Sequence, residues 1–492
     1  MGNHIQQKDI KLFLLFFAFL LGMILYFSYE ATINEFVFSQ RMAVYCVILV
    51  LTTISYVTVL YITSKENWKI ENIFLIIAII FSVFMYLAMP MTRGHDEQVH
   101  GYRIYEYANG KLINNGVSVS LSKGIIETFE DKYYYKEIFY NDNSYDTNIP
   151  EITYEFRMSS YSPISYIPHI AGVLVSNIFT SNSMIQVYVA RLFNMIVCIS
   201  ILYFAIKMIP FGKNMLFLIS LIPIAVEGYI SLSADGLAIA STMLLISYIL
   251  KLKYDENSKI GWKQIIILTI LSIIVSISKI VYLPIVLLIS ILPKEKFKNN
   301  KKWIILLGIF IISFVIDLLW YRYGIQRENL INVSNNAWEN IFKEPLLYIQ
   351  KILYSIVLRF NIYINELFGG KLEYNENIVV SIFPYILLIV SLFISRKGKE
   401  KIQLSTFEKL VILFIIISVI ILVFTAMYTE WSRLDINYIE GVQGRYFLPI
   451  LPLCILLLSK GFLDDEKVTK KIAILITIMQ IFVIAKIFIF HI

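Results

Sequence analysis

Charged residues are scarce in this chain. Asp, Glu, Lys and Arg make up 16% of its 492 residues, whereas hydrophobic residues make up 58%. A soluble globular domain carries about a quarter charged residues, and the mean hydropathy here is +0.69. The composition excludes an ordinary soluble enzyme. It indicates an integral membrane protein with room for about a dozen spans of roughly 20 apolar residues each.

Cysteines are few and nucleotide-binding motifs are missing. Cys46, Cys198 and Cys454 lie in apolar segments without C-x-x-C spacing, which argues against a disulfide framework or a zinc site. No glycine-rich phosphate loop, dinucleotide-binding fingerprint or G-x-S-x-G elbow occurs, so no nucleotide-binding domain is indicated. The net charge of +7 comes from lysines in short loops between apolar runs, and we expect no nucleic-acid partner.

Long apolar runs fill most of the sequence and predict an all-α membrane protein with about 12–13 transmembrane helices in one polytopic domain, 1–492. The runs lack the alternation that a β-barrel needs, and helices satisfy their own backbone groups in lipid. The first run has no small-residue cleavage site and is predicted to be a retained anchor. The predicted spans are 12–29, 42–63, 72–91, 183–206, 214–232, 236–252, 264–278, 281–293, 303–322, 376–395, 406–428, 445–460 and 471–490.

The lysine-rich loops predict the orientation. Positively charged loops stay in the cytoplasm, which places the N-terminus inside and two long loops, 92–182 and 323–375, outside. The stretch 264–293 has lysines at both flanks. It is therefore predicted to be a hairpin of two short spans that turns near Lys279, with one long tilted helix as the alternative.

Both long loops are expected to carry interfacial helices. In the first loop, Pro163 and Pro168 disfavour a regular span because proline disrupts a helix. In the second loop, apolar residues recur at helical spacing, which is typical of a helix lying in the membrane interface. They are Leu346, Ile349, Leu353, Ile356 and Phe360.

Ionisable residues inside or beside the apolar runs share the predicted outer side. Charges in hydrocarbon are costly and usually face a polar cavity, so together they predict a wet chamber that opens outward. Taken singly, Asp317, Glu430 and Lys486 are explained by snorkelling to the interface. The remaining ionisable residues on this side, which predict the chamber together, are Arg191, Glu227, Asp235, Lys279 and Arg445.

The stretch HDEQVHGYRIYE, residues 95–106, concentrates polar groups at the predicted membrane boundary. Glu97, His100 and Arg103 are three residues apart and fall on one face of a helix. Asp96 or Glu97 is a candidate general base, and capping of the helix is the alternative role of Asp96. Carboxylate and imidazole ligands leave Mg²⁺ or Mn²⁺ open as a cofactor, but the sequence supplies no third ligand, and the spacing excludes an H-E-x-x-H zinc site.

Four motifs resemble those of a bacterial family of uncharacterised multi-spanning membrane proteins. The family pattern P-D-E-x-x-H matches residues 96–100, except that His95 replaces the proline. Its small-Asp-small motif resembles SADGLA at 233–238, and SKIVYLP at 278–284 matches Lys-x-x-Tyr-x-Pro. The block EGVQGRYFLPILPL, 440–453, matches G-x-Q-G-R-Y-x-x-P.

That family is similar in layout to the GT-C class of glycosyltransferases. The resemblance implies transfer of a sugar from polyprenyl phosphate to a cell-envelope glycan or polymer, at the outer face of the bacterial cytoplasmic membrane. Asp96 or Glu97 acts as base. The residues expected to bind the substrate are His100, Arg103, Arg191, Asp235, Lys279, Gln443, Arg445 and Tyr446.

Two other classes of function stay open at this point. A transporter or lipid flippase needs polar residues in both halves of the bundle for alternating access, and here they lie on one side. A non-catalytic scaffold of a cell-envelope complex is the third hypothesis, with the tyrosine-rich first loop as the surface for a partner.

Overall fold

A computed structural model describes residues 2–113, 118–130, 145–155, 161–297, 301–323, 331–372, 382–395 and 404–491. Within these residues, eight helices are long and apolar enough to cross a membrane, or nine if one bent pair counts as a span. The predicted fold class, an all-α integral membrane protein, is confirmed. Four of the other predicted spans are shorter apolar helices, and part of the span 376–395 lies outside the described residues.

The helices are as follows, in chain order: α1 (Gly2–Ile33), α2 (Phe38–Ser64), α3 (Ile70–Ala88), α4 (Glu97–Ala108), α5 (Lys123–Glu130), α6 (Ile167–Ser176), α7 (Ser183–Met208), α8 (Lys213–Ser220), α9 (Pro223–Ile230), α10 (Asp235–Tyr254), α11 (Trp262–Ser278), α12 (Lys302–Tyr323), α13 (Ile331–Lys343), α14 (Pro345–Leu367), α15 (Ile382–Ile394), α16 (Thr406–Glu430), α17 (Leu451–Leu458) and α18 (Glu466–Phe490). Among the described residues, 3-10 helices cover Pro163–Tyr166, Ile280–Ile291, Lys294–Lys296 and Gly444–Ile450, and strands cover Ser118–Ser122 (β1) and Glu151–Glu155 (β2).

The hairpin predicted for 264–293 is present, with its turn at Lys279, and the crossing of the membrane by each arm stays a prediction. Helix α11 runs to Ser278, the chain turns at Lys279, and the 3-10 helix Ile280–Ile291 runs back beside it. The amide of Ile260 donates to the carbonyl of Lys296 at 2.8 Å, which joins the two open ends of the hairpin. Lys279 therefore lies at the apex, about one membrane-crossing helix away from the lysine-rich ends.

A second interruption lies between α8 and α9, which meet at an angle of 64°. Pro223 begins α9 and has no amide hydrogen to continue the hydrogen bonding of α8. The apolar run predicts one span over 214–232, and the bend within it is not predicted from the sequence. The bend turns the end of α9 toward the start of α10.

The two ends of the helix bundle differ in charge. Helix α10 begins at Asp235 and ends with Lys251 and Lys253 in its last turn, and 20 helical residues span about 30 Å. Lys253 pairs with Glu408, at the start of α16, at 2.6 Å. The lysine-rich loops thus gather at one end, here called the basic end, and Asp235 lies at the other. Which end faces the cytoplasm stays a prediction.

The described parts of the first long loop pack together at the end that carries Asp235. Helix α4 contains Glu97, His100 and Arg103, as their spacing predicts. Strands β1 and β2 pair antiparallel. The sequence analysis does not predict these strands, although Ser-Val-Ser-Leu-Ser in β1 alternates as a strand does.

The second long loop contains the predicted amphipathic helix. Four of its apolar residues are exposed on α14: Leu346, Ile349, Leu353 and Phe360. The opposite side of the helix packs on the protein, where the Lys351 ammonium donates to the carbonyl of Leu434 at 2.7 Å. That α14 lies in the membrane interface stays a prediction.

Candidate functional site

Two carboxylates and two cations meet at the end of the bundle opposite the basic end. Arg445 Nη2 donates to Asp96 Oδ2 at 2.5 Å, and Arg445 Nη1 lies 3.2 Å from Asp235 Oδ2. The Lys279 ammonium pairs with Asp235 Oδ1. Asp96, Asp235, Lys279 and Arg445 are here called the four-charge cluster. Their formal charges cancel, and this pairing offsets the desolvation cost of burying three of them.

Interruptions of helices bring these four residues together. Asp96 directly precedes α4, Asp235 is the first residue of α10, Lys279 is the hairpin apex, and Arg445 lies in the 3-10 helix Gly444–Ile450. The structure therefore joins residues as far as 349 positions apart in the sequence.

Asp96 has a backbone conformation that few side chains adopt. Its φ is +56° and its ψ is +21°, in the left-handed region, which costs a non-glycine residue of the order of 1–2 kcal/mol. The carboxylate makes no capping hydrogen bond to the described part of α4, and it contacts Arg445 instead. Such strained residues are concentrated at functional sites.

Solvent exposure separates the members of the cluster. The side chain of Asp96 is 36% exposed, against 11% for Asp235, 8% for Lys279 and 7% for Arg445. Partial burial raises the pKa of Asp96, but the Arg445 guanidinium and the nearby His100 outweigh it and hold the pKa below its ordinary value. Asp96 is therefore an ionised carboxylate with an open side.

The G-x-Q-G-R-Y block positions Arg445 through its two glycines. Gly441 has a φ of +79°, which favours glycine. A Cβ at Gly444 lies only 2.1 Å from the backbone oxygen of Tyr363 in α14, so this glycine allows close packing. Gln443 Oε1 then accepts from Arg445 Nε at 2.6 Å and orients the guanidinium.

Aromatic rings surround Lys279. Its ammonium lies 4.4 Å from the ring centroid of Tyr446 and 5.3 Å from that of Tyr161. Tyr446 is fixed from behind, since the hydroxyl of Tyr282 donates to its carbonyl at 3.0 Å. These cation–π contacts hold the lysine without neutralising its charge.

His100 lies behind the cluster and is buried. Its Nδ1 is 2.5 Å from the hydroxyl of Tyr166, and its ring stacks on Tyr161 at a centroid distance of 5.6 Å. Burial lowers the pKa of His100 to about 4, despite the opposing effect of Asp96 and Asp235. The imidazole is therefore neutral at pH 7.

Glu97 is directed away from the cluster and pairs with Arg191. Arg191 Nε donates to Oε1 at 2.7 Å and Nη2 to Oε2 at 2.5 Å. The Leu232 amide also donates to Oε1 at 2.8 Å. Both side chains are buried, and backbone groups of Gly94, Met89 and Pro90 complete their hydrogen bonds. The pair joins α4 to α7, and its polar atoms are already in use.

Arg103 also lies outside the cluster, within the first long loop. Its guanidinium is fully buried and donates to Glu106 at 2.7 Å and to the carbonyl of Leu112 at 3.0 Å. The Tyr107 ring lies 4.3 Å away. Helix α4 is buried around most of its circumference. Glu97, His100 and Arg103 therefore share a face of the helix without sharing one site.

His95 is a neighbour of the cluster to which the sequence analysis assigns no role. Its Nδ1 lies 2.5 Å from Glu227 Oε1, and its backbone amide donates to the same oxygen at 3.1 Å. A proline at this position has no amide hydrogen for the second bond. Two features of the sequence point to this contact. His95 replaces the proline of P-D-E-x-x-H, and Glu227 is an acidic residue in the apolar helix α9.

A cavity of about 130 Å³ adjoins the cluster at Lys279. Tyr161 and Tyr446 line it on the cluster side, and Asp317 and Glu430 contribute carboxylates. No group of three or more His, Cys, Asp or Glu residues within the described ranges could hold a metal ion. The geometry thus offers an open carboxylate, two cations and an adjoining cavity.

Comparison with known proteins identifies a family but no characterised relative. Residues 74–454 match the sequence profile of a family described as predicted membrane protein, DUF2142. Neither a curated protein nor a solved structure matches the chain. The matched residues include all four members of the cluster and more than half of the sequence. The chain therefore belongs to the DUF2142 family of membrane proteins.

Proposed function

We propose that the protein is a glycosyltransferase that moves a sugar from polyprenyl phosphate to a hydroxyl group of a cell-envelope acceptor. Such a reaction needs a base for the hydroxyl and cations for the departing phosphate. The observation that carries the proposal is the contact between the exposed Asp96 carboxylate and Arg445, with Lys279 on the far side of Asp235. The same helix interruptions that build this site leave it at one end of the bundle, where we expect the headgroup of a lipid-linked donor to lie.

The proposed reaction is a single displacement. An acceptor oxygen attacks the anomeric carbon while its proton passes to the Asp96 carboxylate. The bond from the anomeric carbon to the phosphate oxygen breaks, and its electron pair leaves with polyprenyl phosphate. The new glycosidic bond forms on the opposite face of the ring, so the anomeric configuration inverts.

Asp96, rather than its neighbour Glu97, is the base in this proposal. The Glu97 oxygens accept from Arg191 and from backbone amides in a closed environment, and no substrate hydroxyl can reach them without breaking that pair. Asp96 is exposed at one side and held at the other. Of the two candidate bases, Asp96 and Glu97, the proposal therefore retains Asp96.

Arg445 and Lys279 are the proposed phosphate-binding groups. Arginine can bind phosphate through two parallel hydrogen bonds. When phosphate shares Arg445 with Asp96, the carboxylate loses part of its counter-charge and becomes a stronger base. The donor thereby activates the base that receives the proton of the acceptor. Gln443 and Tyr446 keep the two cations in place.

The layout adds support of a coarser kind. An acidic motif in the first long loop, with amphipathic helices nearby, resembles the GT-C arrangement. The cluster lies at one end of the bundle, and the other end is lysine-rich. A transporter needs a polar path to both ends, whereas a transferase that acts at one face does not. For this reason we favour the enzyme over the flippase.

The test compares bacterial envelope glycans in a deletion strain that carries the wild-type protein, Asp96→Asn or the control Asp435→Asn. Asp435 is exposed in the loop after α16 and has no place in the cluster. We expect Asp96→Asn to lower the glycan product about 100- to 10,000-fold, the range for loss of a general base, with normal membrane levels. Asp435→Asn keeps wild-type product.

Two results contradict the proposal. Wild-type glycan levels with Asp96→Asn remove the base from this position. Transport of an unmodified lipid-linked sugar by the purified protein in liposomes, without formation of a new glycosidic bond, identifies a flippase instead.

A further inference from the structure

Asp317 is a buried carboxylate in the wall of the cavity that adjoins Lys279. The residue is 3% exposed and lies in the membrane-spanning helix α12. Its Oδ1 accepts from the hydroxyl of Ser276 in α11 at 3.2 Å. Its Oδ2 is buried and has no hydrogen-bond partner among the described residues. An unpartnered carboxylate oxygen within a span is costly and indicates a function.

The other walls of the cavity restrict what can occupy it. Apolar side chains of the hairpin and of α16 form much of the lining, and four aromatic residues contribute to the rest: Tyr161, Trp320, Tyr321 and Tyr446. The volume of about 130 Å³ is close to the roughly 150 Å³ of a protein cavity that binds one benzene molecule, so it accommodates about one six-membered ring. The cavity thus combines apolar surface with a few polar groups, as small-molecule sites do.

The groups that line the cavity disfavour a metal ion or another cation as the occupant. The Lys279 ammonium lines the same space and repels a cation. The described residues also hold no three-ligand set for a metal. A neutral donor of hydrogen bonds satisfies Asp317 Oδ2 without a charge penalty. Hydroxyl groups on a ring that packs against aromatic side chains meet both conditions.

We propose that this cavity is a carbohydrate subsite in which Asp317 accepts a hydrogen bond from a sugar hydroxyl and selects the sugar that is transferred. The inference rests on the proposed function, because it places the sugar on one side of Lys279 and its phosphate within reach of that lysine. Asp317 is a specificity-determining residue in this scheme and takes no part in proton transfer.

The experiment measures binding to the full-length protein in lipid nanodiscs by isothermal titration calorimetry. The probes are citronellyl phosphate and its glucose, galactose, mannose and N-acetylglucosamine esters. The variants are Asp317→Leu and Asp317→Asn, and the control is Ser313→Ala, one turn earlier on α12. Ser313 is buried but does not line the cavity.

For at least one glycoside, we expect Asp317→Leu to weaken binding about 10- to 100-fold, as for removal of one partner from a buried hydrogen bond. Asp317→Asn weakens it less, because the amide keeps an oxygen acceptor. Binding of citronellyl phosphate, which lacks the sugar, stays within twofold in both variants, and Ser313→Ala binds all probes as the wild type does.

Three results overturn the subsite: no binding of any glycoside, glycoside binding that is unaffected in both variants, or an equal loss for the sugarless phosphate. The outcome is separable from that of the proposed function. Sugar binding that depends on Asp317, without any transfer, supports the subsite and contradicts the proposed enzyme. Transfer that is unchanged in the Asp317 variants supports the enzyme and contradicts the subsite.

Discussion

Glu97 and Arg191 form a two-pronged ion pair that is closed to solvent, with Nε to Oε1 at 2.7 Å and Nη2 to Oε2 at 2.5 Å. The pair joins α4 to the spanning helix α7. Because Glu97 follows Asp96 in the chain, the pair also fixes where the exposed carboxylate can lie. A carboxylate that stabilises the fold, Glu97, and the carboxylate proposed as the general base, Asp96, thus occupy adjacent positions.

This ion pair predicts that Glu97→Gln lowers the stability of the fold and does not remove a catalytic group. Loss of one partner from a buried ion pair costs about 3–5 kcal/mol, because the other charge stays buried alone. We expect a lower thermal unfolding midpoint in detergent for Glu97→Gln and for Arg191→Gln. The double variant loses less than the sum of the two, since the residues are directly coupled.

Asp435→Asn serves as the control for loss of an acidic charge and leaves the midpoint unchanged. A Glu97→Gln protein with wild-type stability and no transfer contradicts this assignment and makes Glu97 the catalytic carboxylate.

The different directions of Asp96 and Glu97 could not be predicted from the sequence. The distribution of lysines among the loops predicts that both lie at one end of the bundle with Asp235, Lys279 and Arg445. The choice of partner depends on the left-handed turn at Asp96, with a φ of +56°. No residue pattern specifies that turn in a non-glycine residue.

The hairpin illustrates what pattern and charge can predict. Basic flanks and a length of 30 residues are sufficient to predict a hairpin with Lys279 at the apex. They could not show that the returning arm is a 3-10 helix with Pro284 inside it. That geometry results from packing of the arm against α11 and α16, which is tertiary information.

His100 predicts a pH dependence of stability. Its pKa is lowered to about 4 in the folded protein, against about 6.5 in an unfolded chain. The neutral ring therefore stabilises the fold fully above pH 6.5, and this contribution is lost as the pH falls toward 4. The expected loss between pH 7.5 and 4.5 is about 2–3 kcal/mol.

The measurement compares the free energy of unfolding of the wild type and His100→Gln across this pH range. Glutamine does not titrate, so the variant lacks the part of the slope that His100 supplies, while other titrating groups act equally in both proteins. Equal slopes for the two proteins show that His100 is not buried in its neutral form.

Gly444 predicts a steric requirement in the G-x-Q-G-R-Y block. A Cβ there lies 2.1 Å from the Tyr363 carbonyl oxygen and 2.6 Å from the Leu367 nitrogen, both backbone atoms of α14. Gly444→Ala therefore pushes the following residue, Arg445, away from its partners. We expect a loss of stability of about 1–3 kcal/mol, typical of overpacking, and at least a tenfold loss of glycan product in the complemented strain.

Gly308→Ala is the matched control for the same chemical change. Gly308 lies inside α12, and a Cβ there meets no described atom within 4 Å. Alanine in a helix interior is favoured over glycine by roughly 0.5–1 kcal/mol, so this variant keeps or gains stability and retains full product. Equal behaviour of the two alanine variants means that the position of Arg445 does not depend on close packing against α14. A destabilised but fully active Gly444→Ala protein separates packing from chemistry and removes Arg445 from the proposed phosphate site.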